Sequence, residues 1–321
     1  MRKLALRQFV RVTLLAALAL PAAAGTGTQA PAPPVSAPSP AKIEVTDEVG
    51  RRIFVPVPVR RIVSLAPNLT ETIYALGAQD RLVGVTDFCD YPPEARQKTS
   101  VGGAVSPSIE QIVALKPDLV LAQAITMNRR ETVDALERLG IAVYSANSRS
   151  VDGILESTRH IANLIGAGEQ SEALLKSLRA RLDDLKLRLA GRPRRRVLFV
   201  VWSDPLVSVG RQTFIADALR LAGAESIVET EQDWPRLNLE EVVRLQPEFL
   251  VFASSHSESV RTSVEDFSER PGWRGLDAIR LHRIAAISDA INRPAPRLVD
   301  ALEDLARQLH PEAFADKQVQ R

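Results

Sequence analysis

Pro107-Ser108-Ile109-Glu110-Gln111-Ile112-Val113-Ala114-Leu115-Lys116-Pro117-Asp118-Leu119-Val120-Leu121-Ala122 has an echo later in the same chain, Leu237-Asn238-Leu239-Glu240-Glu241-Val242-Val243-Arg244-Leu245-Gln246-Pro247-Glu248-Phe249-Leu250-Val251-Phe252. Glu110 and Glu240, Val113 and Val243, Leu115 and Leu245, and Pro117 and Pro247 are identical at matched places, and most other positions are like for like. Each copy reads as a short helix followed by an apolar strand. Ser108 or Asn238 can cap the helix, while Ile109, Ile112 and Val113, or Leu239, Val242 and Val243, are expected to pack inward. The glutamates fall in the first turn, where a negative charge suits the helix dipole. Two similar units in one chain imply two lobes of similar build.

Outward from these units the pattern is strand then helix. IEVTDEVG, turning at Gly50 and returning from Arg52 to Val57, reads as a hairpin. Arg61 to Leu65 and Leu82 to Val85 read as strands around a helix from Ala66-Pro67-Asn68 to Leu76, stopped by Gly77. A helix from Arg129 to Leu139 ends at Gly140, with a strand expected over Ile141 to Tyr144. In the second half, strands are expected at Arg196 to Val201, Phe249 to Phe252 and Arg283 to Ile287, with helices at Thr213 to Leu221 and Arg297 to Leu309. Alternating strands and helices imply an α/β fold, its sheets mostly parallel and flanked by helices.

Between the halves the periodicity becomes purely helical. Val151 to Ile165 is one expected helix, and Leu174, Leu175, Leu178, Leu182, Leu185 and Leu189 continue a helical period from Glu169 to Leu189. At 1.5 Å per residue the second helix spans about 30 Å, the width of a small domain. It reads as one long rigid strut joining the lobes, which predicts little relative motion.

The first residues, Met1, Arg2, Lys3, Arg7 and Arg11, then an apolar run to Leu20 and Ala22-Ala23-Ala24, form a signal-peptide pattern over 1–24. Residues 25–42 are rich in Pro, Ala, Ser and Thr and read as a tether. The expected divisions are then an N-terminal α/β lobe at 43–150, an interlobe helical region at 151–191 and a C-terminal α/β lobe at 192–321. Forty-one basic and 39 acidic residues leave a net charge of +2, which favours no nucleic-acid surface. The single cysteine, Cys89, has no partner and is expected to be buried; with no cysteine near the cleavage point, the exported chain is expected to be soluble and not lipidated.

Solutes of open α/β sheets sit beyond the carboxyl ends of the strands. Those ends supply Pro67, Asn68, Phe88, Tyr91, Gln123, Trp202, Ser203, Ser254, Ser255 and His256. Trp234, before a proline, is a further aromatic candidate. Aromatic rings can cover a flat macrocycle while amides and hydroxyls reach its rim. Imidazole is a natural axial ligand for iron or cobalt, which marks His256. Ser64, Asp204, Ser208 and His256 can be assembled on paper into a hydrolytic set, the reading of an exported hydrolase. No G-x-S-x-G elbow, H-E-x-x-H pair or Gly-rich phosphate loop accompanies them, so no catalytic residue is assigned.

With VPVPVRRIVSLAPNLTETIYALG, Val85-Thr86-Asp87-Phe88-Cys89-Asp90-Tyr91-Pro92-Pro93-Glu94-Ala95, SIEQIVALKPDLVLA and Asp233-Trp234-Pro235 in this order, everything after the tether resembles the helical-backbone periplasmic binding proteins. These serve ABC importers of vitamin B12, haem and ferric siderophores. The vitamin B12 members are the most similar, through FCDYPPEA and Trp234-Pro235. The resemblance implies two lobes bridged by a long helix, a monomer when free, and a cobalamin-like corrinoid carried in the interlobe cleft, with haem or a ferric siderophore as alternatives. It also implies docking of Glu110 and Glu240 into arginine pockets of a permease dimer that works with a cytoplasmic ATPase. Phe88 matches a cleft tyrosine without its hydroxyl, while Ala104 and Gln123 stand where the family pattern has aromatic residues.

Overall fold

In a computed structural model, the described residues are 41–124, 128–254 and 269–315. The expected signal peptide and nearly all of the tether lie outside them. Strands β1 (Lys42–Thr46) and β2 (Arg52–Pro56) form the expected antiparallel hairpin. Its turn is held by Asp47, whose carboxylate accepts from the Arg51 backbone N–H at 2.8 Å and from the Arg51 guanidinium.

The first lobe continues with β3 (Ile62–Ser64), α1 (Pro67–Ala75), β4 (Leu82–Val85), α2 (Ile109–Ala114), β5 (Leu119–Gln123), α3 (Arg130–Arg138) and β6 (Val143–Ala146). The strands lie parallel in the order β4-β3-β5-β6. Alternation along the strands feeds two cores. Ile62, Leu119 and Leu121 pack with Leu69 and Ile73 on one face, while Val63, Val120 and Ala122 pack with Ile112 and Leu136 on the other. A sheet covered on both faces needs such continuous apolar runs.

Strand β6 begins two residues later than the sequence suggested. Gly140 takes a left-handed φ of 78° at the end of α3, and the Ile141 N–H donates back to the Leu136 carbonyl at 3.1 Å. Ile141 is thus used to close the helix before the strand can pair.

Helices α4 (Val151–Ile165) and α5 (Gly168–Leu189) carry the chain between lobes. The expected long bridging helix is α5, and α4 crosses beside it. Its Val151 and Ile154 lie in the core of the second lobe, and its Ile161, Ala162, Leu164 and Ile165 lie in that of the first. Along α5, Leu174 packs against the first core, Leu175 and Leu178 against Leu155 of α4, and Leu185 within the second core. The bridge is therefore a helix pair with its own apolar seam, stiffer in bending than one helix alone.

The second lobe contains β7 (Arg195–Val200), a small hairpin of β8 (Trp202–Ser203) and β9 (Leu206–Val207), α6 (Phe214–Leu221), β10 (Ala224–Ser226), α7 (Leu239–Leu245), β11 (Phe249–Ser254), α8 (Asp277–Arg280), β12 (Ile284–Ser288) and α9 (Leu298–Leu309). Its parallel sheet runs β10-β7-β11-β12. This is the same order as in the first lobe, with the first parallel strand of each, β3 or β7, second in its sheet. The echoed segments, α2-β5 and α7-β11, occupy equivalent places. Arginines finish α5 against α9: Arg181 bonds Glu303 at 2.9 Å and Asp300 at 2.6 Å.

One expected inward residue points out. Val113 is 41% exposed, whereas its counterpart Val243 packs against a cluster containing Trp273. In α2, Ile109 and Ile112 alone meet the core, and no described segment covers Val113 as the Trp273 segment covers Val243.

Candidate ligand-binding site

The carboxyl ends of the two parallel sheets face one cleft. From the first lobe, Pro67 and Asn68 open α1 after β3, Asp87, Phe88 and Asp90 follow β4, and Gln123 ends β5. From the second, Asp289, Asn292, Arg293 and Pro294 follow β12. With Arg96 they line a cavity of about 600 Å³, within the ordinary range for small-molecule sites.

The floor is held by buried amides. Asn68 Nδ2 donates to Gln123 Oε1 at 3.0 Å and reaches across the lobes to the Pro294 carbonyl at 3.4 Å. Behind Gln123, the Asn128 side chain accepts from the Gln123 N–H at 2.6 Å and donates to the Leu65 and Ala104 carbonyls. These bonds fix the Gln123 backbone and its carboxamide oxygen.

On one flank the lobes are joined by charge. Glu71 of α1, 4% exposed, accepts from Arg293 at 2.8 Å and twice from Arg297 at 2.9 Å. Arg293 also meets Asp90 at 2.7 Å and Asp289 at 3.0 Å, and the Arg297 guanidinium lies 3.8 Å from the centre of the Tyr91 ring. Burial by itself would raise the Asp90 pKa, but the Arg293 guanidinium outweighs it and holds that carboxyl below the usual range. Burial opposes the charge of Arg293 and Arg297 as well, and their carboxylate partners more than compensate, leaving both firmly protonated.

On the other flank, Arg149 donates to both carboxylate oxygens of Asp233, at 3.1 and 3.3 Å, beside Trp234. Gln123, Arg149, Phe214, Asp233 and Trp234 share a small compartment there. Gly210 makes this approach possible: its N–H donates to the Asp233 carbonyl at 3.0 Å, and a Cβ there would overlap the Gln232 carbonyl oxygen.

Of the residues marked from sequence, Pro67, Asn68, Phe88, Gln123 and Trp234 therefore face the cleft. Phe88 is 59% exposed, an apolar ring open at the cavity. Tyr91 does not line the cavity; its exposed ring is a platform for the Arg297 guanidinium. Trp202 is 63% exposed, its Nε1 donates to the Asp204 carbonyl at 2.7 Å, and it lines neither compartment. His256 and Ser255 lie outside the described residues, so the axial-ligand reading of His256 has no structural counterpart here. Cys89 is buried, and burial pushes its thiol pKa up, which suits a core residue.

Glu71, Asp289, Asn292, Arg293 and Arg297 were missed. The loop after β12 is itself a strand carboxyl end, and applying the same rule to it would have found Asp289 to Arg293.

Glu110 and Glu240 are both exposed, and neither has an ion-pair partner among the described residues. Ser108 accepts from the Gln111 N–H at 3.2 Å and Asn238 from the Glu240 N–H at 2.8 Å, so both helices have the expected caps.

A two-lobed α/β protein with a helical backbone and a polar interlobe cavity is a solute-binding protein. The chain belongs to the periplasmic binding protein family, which it matches over residues 62–290, and it is the substrate-binding component of an ABC importer, located in the periplasm and not an enzyme. It is 29% identical over 283 residues to YvrC of Bacillus subtilis, an ABC transporter substrate-binding lipoprotein, covering 85% of this chain and 87% of that one. It is 29% identical over 257 residues to a vitamin B12-binding protein of Vibrio cholerae, covering 79% of this chain and 90% of the relative. The crystal structure of the Vibrio cholerae protein BtuF superposes with a TM-score of 0.70 at 27% identity, over 80% of this chain and 99% of that one. A periplasmic haem-binding protein, RhuT from Roseiflexus sp. RS-1, superposes with a TM-score of 0.69 at 28% identity, over 79% and 99%.

Proposed function

We propose that this chain captures a corrinoid of the cobalamin type in the interlobe cavity and delivers it to an ABC permease dimer through Glu110 and Glu240. The observation that carries the ligand assignment is the lining of the cavity. Phe88 offers a ring face, and Asn68, Gln123 and Asn292 offer carboxamides. A ring face suits a flat macrocycle, and carboxamides both donate to and accept from a rim of acetamides. The arginines present are matched by carboxylates, so the cavity has no surplus of positive charge to draw a polyanion. Similarity to vitamin B12-binding proteins supports the same assignment.

The docking role rests on repetition. Helices α2 and α7 stand at equivalent places in two sheets of one strand order, each presenting an exposed first-turn glutamate. Such a pair suits a partner that is itself a dimer with basic sockets, and fixes orientation more than affinity. Cys89, the one cysteine of the chain, is buried, which supports an unlipidated periplasmic form.

Calorimetry against cyanocobalamin, dicyanocobinamide, haemin and a ferric siderophore tests the ligand. Saturable one-to-one binding of a corrinoid, with a Kd between about nanomolar and micromolar, is the expected result, and no heat with either corrinoid overturns it. The structural similarity to RhuT favours haem as the second reading; haemin binding in place of the corrinoids would establish that reading instead.

A further inference from the structure

Every guanidinium at the cavity is answered by a carboxylate. Arg96 faces Asp90 at 3.9 Å, Arg293 meets Glu71, Asp90 and Asp289 within 3.0 Å, and Arg297 meets Glu71 at 2.9 Å and Asp289 at 3.7 Å. Asp87, also on the cavity wall, accepts from the Ser100 hydroxyl. Four carboxylates thus stand against three guanidiniums. Arg96 and Arg293 line the cavity, with Arg297 packed beside Arg293, and the expected consequence would be attraction of anions. Here the sign is reversed by acids placed around and behind those arginines.

The placement of Glu71 is informative. Its side chain is 3% exposed and lies behind Arg293 and Arg297, which are each 16% exposed. It does not line the cavity itself, so it acts on a solute only through the arginines. Asp289 both pairs with them and lines the wall, at 27% exposure. A charge held on a partly desolvated wall acts on a solute more strongly than the same charge on an open surface.

We propose that Glu71 and Asp289 make the cleft a charge filter, cancelling Arg293 and Arg297 so that macrocycles with a neutral amide rim are accepted and those with carboxylate rims are rejected. This rests on the corrinoid assignment above and refines it: ring shape is read by the aromatic surface, rim chemistry by the compensated ion cluster. Asp289 is a specificity residue at the wall, and Glu71 is a positioning residue that both orients Arg293 and removes its net charge. The same bonds join the lobes, and selectivity against anions distinguishes the filter from a purely mechanical tie.

The test uses two corrins of one ring and different rims: dicyanocobinamide, with neutral amides, and dicyanocobyrinate, with carboxylates. Wild-type protein is expected to bind cobinamide at least about tenfold more tightly. In Asp289→Asn and Glu71→Gln, each of which removes one negative charge and keeps a hydrogen-bond acceptor, that gap should narrow about five- to tenfold, chiefly through tighter cobyrinate binding. The gain should fade in about 1 M salt, where screening acts within a few ångströms. Asp289→Asn carries the test if Glu71→Gln does not fold. A gap unchanged in the folded variants overturns the filter and leaves a mechanical tie. If the wild type binds neither corrin, the corrinoid assignment falls, and the filter is then read from haemin. Tighter haemin binding by the variants than by wild type upholds it, and equal binding overturns it.

Discussion

Arg61 and Arg196 make the same bond in the two lobes: each guanidinium donates to the carbonyl of the leucine at the C-terminal end of a glutamate-bearing helix, Leu115 at 2.7 Å and Leu245 at 2.9 Å. The following residues, Lys116 and Gln246, share a left-handed φ of 46° and 45°. The next strands then enter by matched bonds, Asp118 N–H to the Arg61 carbonyl and Glu248 N–H to the Arg196 carbonyl, both 2.8 Å. The pseudo-symmetry thus extends to individual hydrogen bonds, and it is what makes Glu110 and Glu240 a matched pair.

If that pair docks the permease, Glu110→Ala with Glu240→Ala should leave solute affinity unchanged, as read by calorimetry, while abolishing stimulation of the transporter's ATPase in proteoliposomes. Equal loss of solute binding would assign these side chains another role.

Arg61→Ala leaves helix carbonyls without their charged donor. A loss of about 1 kcal/mol is expected in urea melts, together with a partial loss of ATPase stimulation smaller than that of the double glutamate variant. An unchanged melt would show that water satisfies these carbonyls equally well.

The interlobe cluster predicts an acid limb. Because the folded protein holds the Asp90 carboxyl below its ordinary value, its contribution is present above about pH 4 and lost as pH falls through the depressed value. The melting temperature of wild type should therefore drop more steeply than that of Asp90→Asn as the pH falls below about 4. Parallel curves for the two proteins would contradict this.

Near Trp234, Gly210→Ala should cost about 1–3 kcal/mol through overpacking against backbone, and should weaken solute binding by moving the Asp233-Trp234 segment. Thermal melts and calorimetry on the same sample check both. Full affinity in a destabilised protein would remove Trp234 from the site.

Much of this was legible because the signals were local. Helix α4 has its expected bounds, since Ser150 caps one end and Gly166, at a φ of 70°, closes the other. The repeated segment announced two lobes, and the strand-end rule reached Asn68, Phe88 and Gln123. What escaped depends on distant partners. Glu71 and Arg297 look like ordinary helix charges until the lobes meet, and nothing near Val113 in sequence reports that its cover is missing. Strand β10 has only three residues, too few for a period to show. The double crossing of α4 and α5 is likewise a matter of which cores their ends reach, a tertiary fact.

The most direct measurement is a crystal structure of the full chain with cyanocobalamin. The corrin should lie between the lobes, with Phe88 against its face and its amides toward Asn68, Gln123 and Asn292. Density for the ligand on any other surface, or a cleft without it at saturating concentration, would contradict the account.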